Sequence, residues 1–139
     1  MSNDNSVTLT GNLTRDPEAR FSQSGLAIAN LGLAVNSRRK VGDGQYEDEP
    51  NFFNVTAFGS LAENITESLT KGMRVTVFGR LRWRQWETDD GQKRSTVEII
   101  AESVAPDLRW ATVSVTKTSG GGGGGGGTPA DYELDETPF

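Results

Sequence analysis

The sequence predicts an all-β domain: a small five-stranded Greek-key barrel that carries one short helix. Three observations predict it. Stretches of strand length alternate polar and apolar residues, Gly- and Asp-containing turns separate them, and a single helical period falls between the third and fourth stretches. With 139 residues, 34% hydrophobic and 24% charged, the chain has material for one small core.

Ser6 to Thr14 alternates and reads as a half-buried first strand, broken by Asp16-Pro17. From Leu26 to Asn36, Leu31, Leu33 and Val35 share one parity, which gives a second strand with one core face. Arg38-Arg39-Lys40 and then Val41 to Pro50, with Gly42, Gly44 and four acids, read as a polar loop between strands. Asn51 to Gly59 is the third strand. Ser60-Leu61-Ala62-Glu63 matches a capping box, in which Ser60 caps an exposed amide and Glu63 reaches back, so a helix is expected to start there. Leu61, Ile65 and Leu69 give that helix one narrow apolar stripe, and Gly72 is its stop. Arg74 to Trp86 is the fourth strand, Glu87 to Lys93 with Asp89-Asp90-Gly91 a hairpin turn, and Arg94 to Val104 the fifth; Leu108 to Thr116 alternates once more. A helix placed before the fourth strand suits the OB type of barrel, a binding scaffold, better than a β-sandwich, whose connections usually lack one.

The chain has no cysteine and no histidine, which removes thiol nucleophiles, disulfides, zinc sites built on Cys or His, and imidazole acid–base chemistry. No cofactor, metal or catalytic residue is expected. Asp48-Glu49 and Asp89-Asp90 are the dense carboxylate pairs that a metal-dependent nuclease would need, but both lie in expected turns and read as solvated loop acids. Met1 to Asn5 lacks a signal pattern, and no apolar run approaches the roughly 20 residues that span a bilayer. A cytoplasmic, nucleoid-associated protein with no membrane partner is expected.

The net charge of −5 is unevenly spread. All 14 Lys and Arg, and 15 of the 19 acids, lie within residues 1–118. The other four acids, Asp131, Glu133, Asp135 and Glu136, give residues 131–139 a charge of −4. Eight glycines, Gly120 to Gly127, precede them; such a run has no side chain to bury and is expected to be a flexible tether, spanning roughly 20 to 24 Å root-mean-square from about Thr118 to Tyr132. The expected organisation is a binding and oligomerisation domain at 1–117, a linker at 118–130 and an acidic interaction tail at 131–139.

Side-chain alternation then divides the strands into faces. In the third strand Phe53, Val55 and Ala57 share one face, and Phe52, Asn54, Thr56 and Phe58 the other. In the fourth, Val75, Val77, Leu81 and Trp83 oppose Arg74, Phe78, Arg80, Arg82, Arg84 and Trp86. Trp83 falls on the core parity beside a hairpin, and a bulge at Gly79 would flip the parity of what precedes it. Residues 71–94 hold seven basic residues against three acids. Cations and rings on one face suit an unpaired nucleic acid: phosphates exchange counterions for Arg and Lys, and unstacked bases lie on π surfaces. Arg38, Arg39 and Lys40 would add an electrostatic clamp.

Gly11-Asn12-Leu13-Thr14-Arg15-Asp16-Pro17-Glu18, Phe58-Gly59-Ser60-Leu61-Ala62-Glu63 and Gly79-Arg80-Leu81-Arg82-Trp83-Arg84-Gln85-Trp86 resemble bacterial single-stranded DNA-binding proteins, from about Val7 to Val104. Pro106 to Thr112 resembles the extra segment of the high-GC Gram-positive branch, where it forms a strand clamping a homotetramer; by that likeness Trp110 serves oligomerisation. Asp135-Glu136-Thr137-Pro138-Phe139 is similar to the family's acidic peptide, which docks on replication, recombination and repair proteins. Matched by position, Phe52, Phe58 and Trp86 stand where the family stacks bases, and Lys71, Arg82 and Arg84 where it contacts DNA. Arg39 and Phe52 each stand where many members have Trp, and Thr137 replaces a commoner apolar residue. The resemblance implies a non-catalytic homotetramer that coats single-stranded DNA through Phe52, Phe58, Trp86, Arg82, Arg84 and Lys71; strand parity adds Arg80 and Arg74 to the expected DNA-binding residues, and the charge run adds Arg38 and Arg39. The alternatives are a specialised paralogue for DNA uptake and an RNA-binding OB-fold protein.

Overall fold

A computed structural model of the chain describes residues 4–118. The linker and tail expected at 118–130 and 131–139 lie outside the described residues, apart from Thr118. In chain order the elements are β1 (Val7–Leu13), β2 (Glu18–Phe21), β3 (Ala27–Gly42), β4 (Gln45–Phe58), α1 (Ser60–Ser68), β5 (Arg74–Glu87) and β6 (Lys93–Pro106). One sheet of order β1-β5-β6-β4-β3-β2 curls until β1 also pairs with β3, with Asn12 opposite Ala34 and Leu13 opposite Leu33. That contact closes a five-stranded barrel of the OB type, and β2 adds an edge strand to β3. A Cβ on Gly11 would strike the Ala34 carbonyl oxygen, so glycine is what lets β1 approach β3 at the closure.

Inward parity fills the barrel. Ala29, Leu31 and Leu33 from β3, Val55 and Ala57 from β4, Val75 and Val77 from β5 and Ile99 from β6 are buried, and Ala62, Ile65 and Leu69 close one end from α1 and the residue after it. Burying each of the Leu, Val and Ile side chains stabilises by about 1.5–3 kcal/mol. Among the described residues no helix is long and apolar enough to cross a membrane.

Strand β2 is absent from the sequence expectation, and four further features differ from it. Residues 38–42 and 45–50 are strand, not loop, joined by a turn at 43–44: β3 and β4 stay in register from Arg38 opposite Asp48 to Lys40 opposite Tyr46, and form an arm that projects from the barrel. Neither side of that arm meets a core, so it lacks the apolar alternation by which strands are recognised. The capping box does not form. Gly59 is the N-cap with φ 72°, in the left-handed region that favours glycine, and Ser60 is already helical, so its hydroxyl makes no cap bond; Glu63 instead donates its N–H to the Gly59 carbonyl at 3.2 Å. The register shift opposite Gly79 leaves the alternation of β5 intact, because Phe78 faces Ser103 while Gly79 faces Ala101, and the extra residue, Glu102, belongs to β6. Finally, residues 108–116 carry no strand pairing in the single chain; a strand requires a neighbouring edge, and none in this chain takes the segment.

Candidate nucleic-acid interface

Beyond the barrel, two ribbons diverge: the β3–β4 arm and the end of the β5–β6 hairpin. The last parallel pairings between β4 and β6 are Val55 with Ile99 and Thr56 with Ile100, so the strands part on the arm side of Val55. Strand β6 lies between β4 and β5 in the sheet, although the two are consecutive strands in the chain. The face is therefore one strand wider than parity alone implied.

On its outer side Phe52 is 70% exposed and Trp86 43%, while Phe58 is half-buried opposite Ile28. Arg84 lies over the Trp86 ring, 5.4 Å from guanidinium carbon to centroid. Arg80, opposite Ile100, is exposed. A hollow of about 150 Å³ on this face is lined by Arg15, Asn30, Asn54, Thr56, Arg84 and Glu98 among others. Gly32 at its edge leaves room for the Thr14 and Arg15 side chains, which a Cβ there would strike.

Glu98 is 7% exposed and stands directly opposite Arg82. Its Oε1 accepts from the Thr56 hydroxyl at 2.8 Å; its Oε2 accepts from Arg82 Nη2 at 2.6 Å and Nε at 3.1 Å, and lies 3.4 Å from Arg84 Nε. Burial pushes the carboxyl pKa up, but the bonds from Arg82 and Thr56 and the two guanidinium charges outweigh it, and Glu98 titrates below the ordinary value of 4.5. A depressed folded-state pKa means that this stabilisation is complete above the ordinary value and is lost as pH falls through the lower one. The melting temperatures of the wild type and of Glu98→Gln are accordingly expected to differ at neutral pH and to converge on acidification below pH 4.5.

Other residues singled out from sequence lie elsewhere or are engaged. Arg74 donates its Nε to Asp107 Oδ2 at 2.7 Å and lies 5.0 Å from the Trp110 ring centroid. It is twelve positions from Trp86 along β5, about 40 Å of extended strand. Lys71, in the turn before β5, is exposed, and its backbone N–H bonds Asp16 Oδ1 at 2.7 Å. Arg39 is paired with Glu47 at 3.0 Å and Glu49 at 3.1 Å across the arm, and Arg38 lies 4.9 Å from the Tyr46 ring centroid. Trp83 is neither core nor on the cationic face: it is 60% exposed on the back of the ribbon, with Leu81 and Val97. Trp110 is 70% exposed.

Among the described residues no three acidic side chains are placed to hold a metal ion. Glu98, Asn30 and Arg15 escaped the sequence reading. The signal for Glu98 was an acid interrupting the apolar run Val97–Ala101 on the parity of Thr96 and Arg94.

An OB-type barrel with rings and guanidiniums on the outer side of its sheet defines a class of oligonucleotide-binding module. The model of the single-strand binding protein family matches residues 4–107. The chain is 43% identical over 122 residues to the single-stranded DNA-binding protein of Mycobacterium tuberculosis, covering 86% of this chain and 74% of that protein. Against the Mycolicibacterium smegmatis protein of the same name the identity is 46% over 121 residues, 86% of this chain and 73% of the relative. Against that of Corynebacterium glutamicum it is 45% over 117 residues, 83% and 52%. The chain belongs to the single-strand binding protein family.

Proposed function

We propose that this chain binds single-stranded DNA without sequence preference and without catalysis, holding it open against pairing and nucleases during replication, recombination and repair. The observation that carries the reading is the common face of Phe52, Phe58 and Trp86 with Arg80, Arg82 and Arg84. Base stacking is indifferent to sequence because every base has a π face, and phosphate contacts are indifferent to it altogether. The working form is a homotetramer, to which the segment around Trp110 contributes. Supporting this, the segment leaves Trp110 and Val115 largely exposed in the single chain, apolar area that an assembly would cover.

Residues 131–139 recruit partner proteins, with Asp135 and Glu136 steering and Pro138 and Phe139 supplying apolar area. Lys71, Arg74, Arg38 and Arg39 act as outlying cations that a long strand reaches after leaving the central face.

Titration with oligo(dT) is expected to quench tryptophan fluorescence, with log K falling against log salt by about 0.7 per phosphate neutralised, and with much weaker binding to duplex of the same length. Equal affinity for duplex would overturn the reading. Deleting Asp131 to Phe139 is expected to abolish pull-down of replication and repair proteins while oligo(dT) affinity holds or rises; loss of oligo(dT) binding on that deletion would place the strand on the tail instead.

A further inference from the structure

A buried acid at the centre of a surface that attracts a polyanion calls for a reason. We infer that Glu98 is a positioning residue that fixes both the orientation and the net charge that Arg82 and Arg84 present to a DNA strand. The inference rests on the single-stranded DNA reading of this face.

One carboxylate serves two arginines from a neighbouring strand. Arg82 turns its Nε and Nη2 inward to Oε2, which leaves the opposite edge of the guanidinium directed away from the carboxylate. Arg84 approaches the same oxygen through Nε and lays its guanidinium over Trp86. Thr56, bonded to the other oxygen and 3.3 Å from Asn30 Oδ1, ties the carboxylate to β4 and β3. The rotamers of two long side chains are thus fixed before a strand arrives, so less ordering remains to be done on binding.

Electrostatically the trio carries +1 where two unpaired arginines would carry +2. Fewer counterions are then released on binding, and the strand is held by rings more than by charge. Such a face keeps its grip as salt rises and releases a strand more readily at low salt than a purely cationic one.

The full chain with oligo(dT), titrated over a range of salt, tests this with Glu98→Gln and Glu98→Asp. Glu98→Gln keeps an acceptor but loses the charge. It is expected to bind about threefold to tenfold tighter at low salt and to steepen the slope of log K against log salt by about 0.7. Glu98→Asp keeps the charge and is expected to retain the wild-type slope whatever its affinity. If Glu98→Gln leaves the slope unchanged, or if Glu98→Asp shifts it equally, Glu98 is a fold element only and the inference fails. Should Glu98→Gln not fold, Arg84→Gln, at a side chain 58% exposed, carries the test: the trio falls to zero charge and the slope becomes shallower by about 0.7, whereas an unchanged slope overturns the inference. A wild type that does not bind oligo(dT) would instead sink the reading of the face itself.

Discussion

Replacing Trp86 with alanine is expected to weaken oligo(dT) binding by about 1–3 kcal/mol, roughly 5- to 150-fold, without unfolding the protein. The ring lies near the end of a two-stranded ribbon, opposite Arg94 and clear of the barrel core, so its loss opens no internal cavity. The effect belongs near the upper limit because Trp86 also seats Arg84, whose guanidinium lies 5.4 Å from the ring centroid. Phe52→Ala is expected nearer the lower limit, since the phenyl ring offers a smaller stacking area than the indole. Phe53 supplies the control. It is next in sequence but on the inward parity and 36% exposed, so Phe53→Ala is expected to lower stability and leave affinity within about twofold. Competition with oligo(dT) in a fluorescence assay measures all three, using a labelled oligonucleotide so that removing a tryptophan does not remove the signal.

The largest expected effect on folding is at Gly79. A Cβ there would run into the Ile100 carbonyl oxygen and stand 2.9 Å from the Ile100 carbonyl carbon and 3.1 Å from the Ala101 Cα. These are backbone atoms of β6, which no rotamer change can move aside. Gly79→Ala is therefore expected to cost about 3 kcal/mol or more, at or beyond the top of the range for overpacked cores, and to lower Tm by roughly 10 °C or more. Binding is expected to fall with it, because the ladder that begins at Gly79 opposite Ala101 is the one that sets Arg82 against Glu98 and carries Trp86 outward. A melting temperature within a degree or two of wild type would show that β6 yields there, and that the bulge at Glu102 is compliant.

The barrel itself was legible in the sequence wherever a strand has one wet and one dry face. Leu31 and Leu33, Val55 and Ala57, and Val75 and Val77 point inward as alternation dictates. Legibility failed where that asymmetry is absent. The β3–β4 arm is wet on both sides, and the side chains across its backbone ladder are exposed charges such as Arg39 with Glu47 and Glu49 rather than apolar contacts, so charge and glycine content disguised a hairpin as a loop. Trp83 and Leu81 show the converse. They keep the core parity after the β5–β6 ribbon has left the core, and alternation cannot tell where a strand stops touching anything. Short strand β2 was missed because all four of its residues are exposed.

The site was half legible. Parity selected Phe52, Phe58, Trp86 and the arginines from Arg80 to Arg84, and the structure gives them one common side. It did not reveal that β6 runs between the two strands and brings Glu98 beneath two of those arginines, because cross-strand neighbours depend on a topology that local pattern does not encode. Arg74 shares the parity of Trp86, yet lies near the far end of β5 against Asp107 and Trp110. Parity assigns a side of the sheet; distance along the strand decides whether two residues can serve one ligand.

Where the strand lies can be read directly by ultraviolet crosslinking of the full chain to a bromodeoxyuridine-substituted oligonucleotide, with the modified peptides mapped by mass spectrometry. Adducts on Phe52, Phe58 and Trp86 are the expected result. Adducts confined to Phe21 or Trp110, which lie off that face, with none on the three rings, would contradict a DNA strand seated across β4, β6 and β5.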